Sequence, residues 1–289
     1  MRVAVGIVTK GRAEILAETL RELSRQTRPP DRLIICATEP ADLPDIAAIA
    51  PAATVLMATP STTGQRNLVL DTAALCDVVV FLDDDFLAEP GYLAATARAM
   101  AADPAILVST GVVLADGAKG PGLSLAQGRA VLAAARPAVS AAPVTAFNGY
   151  GCNMAIRLGT VRSLGLRFDE RLVFYAWYED IDFTRRLGAH GRIVRLAEAR
   201  GVHLGVKIGR GPGRRLGYSQ VINPIYLARK GCYPWRRALT SIARHLAINA
   251  MRAPRPESYI DRRGRLVGNL RGVWDLARGH VAPERAALL

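Results

Sequence analysis

At 289 residues, half of them hydrophobic, the chain can bury one large α/β core or two modest ones and is too apolar for a disordered or fibrous protein. The formal charge of +13 is uneven: Arg185 to Arg271 carries 20 Lys/Arg against 3 Asp/Glu, so the C-terminal third is expected to face diphosphates, phospholipid headgroups or nucleic acid. Cys36, Cys76, Cys152 and Cys232 form no CxxC pair, which argues against a zinc ribbon, a thioredoxin-type site or a disulfide framework and fits a reducing cytoplasm. The apolar stretch Val3 to Val8 is too short for a signal h-region, and no apolar run approaches the length of a membrane span.

Val3 to Val8 reads as a first strand and Glu14 to Gln26 as a helix with Ile15, Leu16, Thr19, Leu20 and Leu23 on one face, ended by Pro29-Pro30. Strands are predicted at Leu33 to Cys36 and Thr54 to Met57, a helix at Gln65 to Ala74, and a fourth strand at Val78 to Leu82. That alternation predicts a doubly wound, mostly parallel α/β sheet. A helix after Pro90 runs through Met100 and leads to a strand at Ile106 to Gly111; residues 115 to 145, rich in Ala, Gly and Pro, read as a mobile excursion or an unplaced helix. Gly205, Gly209, Gly211, Pro212 and Gly213 mark a flexible basic loop. The C-terminal appendage is helical, with Trp235, Leu239, Ile242, Leu246 and Ala250 on one side and Arg236, Arg237, Arg244 and Arg252 on the other, and Leu266, Leu270, Val273, Trp274 and Ala277 suggest a further helix.

Two acidic clusters carry chemistry. Asp83-Asp84-Asp85 follows the buried strand directly, at the rim of the sheet where open α/β proteins bind ligands. Adjacent carboxylates repel one another unless a cation is present, and Mg²⁺ or Mn²⁺ takes carboxylates together with substrate phosphates. A solvated turn capping the next helix is the other reading of this run. Glu179-Asp180-Ile181-Asp182 follows the aromatic run Phe174 to Tyr178 and opens a helix. Its carboxylates cap that helix, or one of them is a general base, with Trp177 and Tyr178 stacking on a sugar ring or another flat apolar face.

The order of motifs resembles the family 2 glycosyltransferases, which have the GT-A fold, a Rossmann-like sheet. Val8-Thr9-Lys10-Gly11-Arg12 is similar to their first-strand turn, Gly64-Gln65-Arg66-Asn67 to their Gly-x-Arg-Asn helix start, and Leu82-Asp83-Asp84-Asp85 to their D-x-D motif. Phe147 to Arg157 resembles their glycine-asparagine segment, and Glu179-Asp180 with Arg185-Arg186-Leu187 their Glu-Asp helix. The resemblance implies a catalytic domain over residues 1–205, with a nucleotide-binding half to about residue 100 and an acceptor half beyond it, followed by a basic loop and helical appendage over 206–289. It implies that Thr9, Arg12, Arg66, Asp83 and Asp84 serve the nucleotide-sugar, that Asp85 and His203 hold a divalent cation, Mg²⁺ or Mn²⁺, and that Asp180 is the base with Glu179 beside it. Trp177, Tyr178 and Asn153 would meet the acceptor. One departure is Cys36-Ala37-Thr38-Glu39-Pro40 where relatives carry an Asp-rich base-reading turn; Glu39 stands in that place.

The activity so implied is inverting, metal-dependent transfer from a UDP-, dTDP- or GDP-sugar to a hydroxyl of a saccharide or lipid-linked acceptor, in polysaccharide or glycoconjugate synthesis. The expected place is the cytoplasm, at an anionic inner membrane face. Residues 205 to 217 have the composition of a lid over the diphosphate. A sugar-nucleotide pyrophosphorylase would want a Gly-rich loop with a lysine after the first strand, which Gly11-Arg12-Ala13-Glu14 does not supply. A nucleic-acid-binding protein would interleave its basic residues with aromatics, and two acidic clusters oppose a phosphate backbone, so no nucleic-acid partner is expected.

Overall fold

In a computed structural model the described residues are 1–138, 140–208 and 211–289. They divide into two units, Met1–Pro60 with Gly64–Arg167 and Arg186–Gly209, and Ser61–Thr63 with Phe168–Arg185 and Arg210–Leu289.

The first unit is built on a sheet of β1 (Val3–Val8), β2 (Arg32–Ala37), β3 (Thr54–Met57), β4 (Val78–Asp83), β5 (Phe86–Ala88), β6 (Ile106–Asp116), β7 (Val144–Thr145), β8 (Asn153–Arg157) and β9 (Arg192–His203). The order is β3-β2-β1-β4-β8-β6-β9-β5, with β7 also on β9. Six strands run one way, while β5, β7 and β8 run against them, so the sheet is mixed and mostly parallel. Its helices are α1 (Ala13–Leu23), the short α2 (Ile46–Ile49), α3 (Thr62–Thr72), α4 (Tyr92–Ala102), α5 (Leu125–Ala134) and α6 (Leu158–Ser163).

Strands β1 and β4 are apolar almost throughout because helices cover both their faces. Val3, Val5 and Ile7 join Val78, Val80 and Leu82, Leu16, Leu20 and Leu23 of α1, and Leu93 and Met100 of α4 in one core. Each such side chain contributes about 1.5–3 kcal/mol on burial. On the other face α3 approaches β1 at Gly6, where an added Cβ would lie 2.4 Å from Val69 Cγ1. The excursion expected at 115–145 is largely ordered: β6 continues to Asp116, and α5 packs through Leu125, Val131 and Leu132 on Leu87, Val202 and Leu204.

The second unit contains α7 (Glu179–Leu187) through Arg185, then α8 (Gly213–Arg229), α9 (Trp235–Arg252) and α10 (Arg262–Ala277). The expected loop therefore ends at Pro212, and Arg214 and Arg215 belong to α8; residues 209 and 210 of that loop lie outside the described residues. α8 and α10 meet backbone to backbone, since a Cβ at Gly217 would lie 2.1 Å from Arg265 O and one at Gly268 2.0 Å from Arg214 O. Buried amides close the contact: Asn249 Nδ2 donates to Asn269 Oδ1 at 2.7 Å, and Asn269 Nδ2 to Gly217 O at 2.7 Å. The single stripe expected on α9 divides, because Ile242 and Leu246 pack inward with Val221 and Ile225 whereas Trp235 and Leu239 stay exposed.

Candidate active site

The register of the sheet assembles the first acidic cluster. Val8 pairs with Asp83 at the ends of β1 and β4, so Thr9 and Asp84 emerge side by side. The chain then turns into β5, where Phe86 pairs with His203 of β9, while Asp116 of β6 pairs with the same histidine from the other side. His203 thus stands between Asp85 and Asp116, although 118 and 87 positions separate it from them in sequence.

Asp83, Asp85 and His203 each offer a ligand atom, all within 4.8 Å of one another. His203 Nε2 lies 3.4 Å from Asp85 Oδ1 and 3.8 Å from Asp83 Oδ2. Asp85 Oδ1 is buried and accepts no hydrogen bond, whereas its Oδ2 accepts from Val206 N at 2.7 Å. A buried carboxylate oxygen left open beside a second carboxylate and an imidazole is the environment a divalent cation satisfies. The two carboxylates suit a hard ion such as Mg²⁺ or Mn²⁺, and the added imidazole favours Mn²⁺ of the two. The residues therefore fit such an ion.

Asp116, which the sequence did not single out, organises the histidine. Its Oδ1 lies 2.9 Å from His203 Nδ1 and accepts from Ala118 N, and its Oδ2 accepts from Tyr150 Oη at 3.0 Å. The Nδ1–carboxylate contact leaves Nε2 directed to Asp83 and Asp85, the arrangement by which a carboxylate orients a metal-binding imidazole. Burial works to lower the His203 pKa, but Asp116, Asp85 and Asp83 overcome it and push it up to about 10. Burial opposes ionisation of Asp116, which is nevertheless lowered to about 2 by His203, Ala118 N and Tyr150.

Asp84 has a different part. It is turned inward, accepting from Thr9 Oγ1 at 2.7 Å and from Arg12 Nη1 at 2.8 Å. Burial raises its pKa against the pull of Arg12. Arg12 also donates from Nε to Ile208 O at 2.9 Å and from Nη2 to Val206 O. Thr9, Arg12 and Asp84 thus tie the first strand turn to the segment after His203. Arg66 is buried, donating to Gly151 O at 2.9 Å and Asp83 Oδ1 at 3.3 Å, which places it behind Asp83. Asn153 is fully enclosed in β8, its amide oxygen accepting from Thr110 Oγ1 at 2.6 Å. Glu39 is exposed, and the ordered acid of its turn is the fully buried Asp42, which accepts from Gly11 N, Thr38 N, Thr38 Oγ1 and Glu39 N.

The second cluster lies in the second unit. Glu179 and Asp180 occupy the first turn of α7, and Asp180 Oδ1 accepts from Ile181 N at 2.8 Å. Asp182 is fully buried, with Lys230 Nζ 2.5 Å from its Oδ1, which spends this carboxylate on an internal ion pair. The preceding segment is strained: Phe174, Ala176 and Tyr178 have φ of 59°, 50° and 75°. Non-glycine residues in that region cost on the order of 1–3 kcal/mol each and persist where surrounding structure over-determines them. Here Trp177 stacks on Tyr178 at 5.2 Å and on Tyr175 at 6.2 Å, and Tyr178 Oη lies 2.7 Å from Ser241 Oγ.

The sequence model of the family described as Glycosyltransferase like family 2 matches residues 1–203. Curated protein sequences give no match. Among solved structures, the mannosyltransferase PcManGT from Pyrobaculum calidifontis in complex with GDP-Man and Mn²⁺ is similar at 19% identity and TM-score 0.54, over 99% of this chain and 78% of that one. GalNAc-T7 with UDP, GalNAc and Mn²⁺ is similar at 14% identity and TM-score 0.52, over 70% of this chain and 44% of that one. TarS of S. aureus gives 15% identity and TM-score 0.50, over 77% of this chain and 40% of that one, so this chain spans less than half the length of the latter two proteins. Likeness at these identities is likeness of fold, and the fold is GT-A. With a family match over residues 1–203 on a sheet whose rim gathers Asp83, Asp85 and His203, the chain belongs to the glycosyltransferase family 2-like proteins.

Proposed function

We propose that the protein transfers a sugar from a nucleoside diphosphate sugar to an acceptor hydroxyl, with inversion at the anomeric carbon. The observation that carries this reading is the group Asp83, Asp85 and His203 at the end of β4 in a family 2 domain. A cation bound there supplies charge neutralisation for the departing diphosphate. Asp83, Asp85 and His203 would hold it, with Asp116 keeping the imidazole oriented. Arg12 and Thr9 keep Asp84 out of that group and fix the turn the nucleotide meets.

In the transfer the acceptor oxygen bonds to the anomeric carbon as the bond from that carbon to the phosphate oxygen breaks. Asp180 takes the acceptor's proton, Glu179 positions the hydroxyl, and Trp177 and Tyr178 offer their ring faces to the sugar. Acceptors of the saccharide or lipid-linked kind suit that aromatic surface. Relatives of the same fold were solved with GDP-Man or UDP, which supports a UDP-, dTDP- or GDP-sugar as donor. The test is a donor screen in Mn²⁺ or Mg²⁺ that follows release of nucleoside diphosphate. Release that depends on the metal and is lost in Asp85→Asn supports the reading. Equal release with excess chelator removes the cation from it.

A further inference from the structure

The outward face of α10 is apolar where a helix in water is normally polar. Val267, Leu270 and Trp274 recur at i, i+3 and i+7 and are 61%, 57% and 56% exposed, with Val273 beside them. The opposite face holds Gly268, Asn269, Gly272 and Asp275, all buried. The backbone contact with α8 at Gly217 and Gly268 leaves no inward room for large side chains. Val267, Leu270, Val273 and Trp274 are therefore directed to the surroundings, while Leu276 packs inward.

The same face is basic. Arg263 and Arg271 lie one turn either side of Val267, and Arg278 lies one turn beyond Trp274, with its guanidinium 5.6 Å from that indole ring. From Trp235 to Arg278 there are ten arginines and three acids. Those acids are spent within the unit: Glu257 pairs with Arg262 and lies 3.6 Å from Arg252, Asp261 accepts from Gly213 N and Gly264 N, and Asp275 accepts from Tyr218 and Arg285 and lies 3.4 Å from Arg271 Nε. Apolar anchors flanked by Arg263 and Arg278, for which no acid partner is found among the described residues, match an anionic bilayer, whose headgroups take the charge while the boundary beneath takes the Leu and Trp. A second copy of the chain fits less well, because a two-fold contact over this face would set its arginines against their own copies. No helix among the described residues is long and apolar enough to cross a membrane, so the contact is one lying in the surface plane.

We propose that the α10 face formed by Val267, Leu270 and Trp274 docks on an anionic lipid surface. This goes beyond the transfer reading and does not depend on it.

The test is sedimentation of the full chain with vesicles of phosphatidylglycerol and phosphatidylcholine, or of phosphatidylcholine alone, at low and high salt. Pelleting with the anionic vesicles at low salt, with a blue shift of tryptophan emission, is expected. Leu270→Ser combined with Trp274→Ser should lower the partition about tenfold or more, with unchanged circular dichroism and melting temperature. These residues take no part in the proposed transfer, so the double variant should keep wild-type donor turnover in solution; failure of vesicle binding leaves that turnover standing, and the reverse also holds. Wild-type protein remaining in the supernatant at low salt overturns the proposal, as does pelleting that the double variant leaves intact. A concentration-dependent dimer lost in the variant, without vesicle binding, assigns the face to a second copy and also overturns it.

Discussion

His203 illustrates how one contact sets a residue's chemistry. An imidazole facing Asp83 and Asp85 is useful to a cation only if its ring is held, and Asp116 holds it from Nδ1 at 2.9 Å. Asp116→Asn should weaken Mn²⁺ binding by about 10–100-fold, as read by isothermal titration calorimetry, with the fold preserved; an unchanged affinity would show that the ring is positioned by β9 alone. At the second cluster, Asp180→Asn keeps the shape of the carboxylate and cannot take a proton. We expect nucleotide-sugar binding to persist while transfer drops about 10²–10⁴-fold. Unchanged turnover would move the base to Glu179, since Asp182 is already occupied by Lys230.

At the scale of elements, the α8–α10 contact depends on absent side chains. Gly268→Ala places a methyl 2.0 Å from Arg214 O, a backbone atom that cannot swing aside. Separation of the helices should cost about 1–3 kcal/mol, visible as a lowered midpoint in calorimetry. Gly272→Ala is the internal comparison, because its Cβ meets Val221 Cβ at 2.9 Å and should cost less. Equal midpoints for wild type and Gly268→Ala would mean that the helices are not in backbone contact in solution. The long strand β9 shows a different balance. Arg195, Glu198 and Arg200 interrupt any two-residue alternation, and shifts of register against β6 accompany them. Its place in the sheet comes from its neighbours on both sides, which supply the hydrogen bonds and the core that its own pattern only half announces.

For the whole molecule, acid sensitivity follows from carboxylates held ionised by the fold. Asp31 is lowered by the Val3 amide; Asp42, Asp169 and Asp275 are lowered despite burial, by backbone amides and Thr38, by Lys230 and Tyr226, and by Tyr218 and Arg285 respectively. Their folded pKa values lie below the ordinary 3.8, so at low pH the unfolded chain binds more protons than the folded one. The stabilisation is complete above the ordinary value and is lost as pH falls through the folded values. Urea denaturation should therefore show stability falling below about pH 5, and Asp169→Asn should flatten part of that fall. A profile unchanged by the substitution would remove Asp169 from the account.

How much of this was legible follows from range. Local pattern determined β1, α1, β4, the C-terminal helices and the family motifs, because apolar periodicity and strand-end acids depend on residues within a turn or two of one another. The cation group was half legible: Asp85 follows its strand directly, and His203 was reached by resemblance alone. Asp116 was not legible, since no spacing links it to a histidine 87 positions later. Arg66 and Asn153 carried the right motifs, yet their burial behind Asp83 and against Thr110 is a property of packing. That α10 is a helix was legible, but which of its apolar residues face outward, Val267 among them, was not. By itself the sequence determined the local elements and the chemistry they carry. The tertiary structure decided which of those residues meet, because strand register and helix contact are settled by the burial of distant side chains against one another.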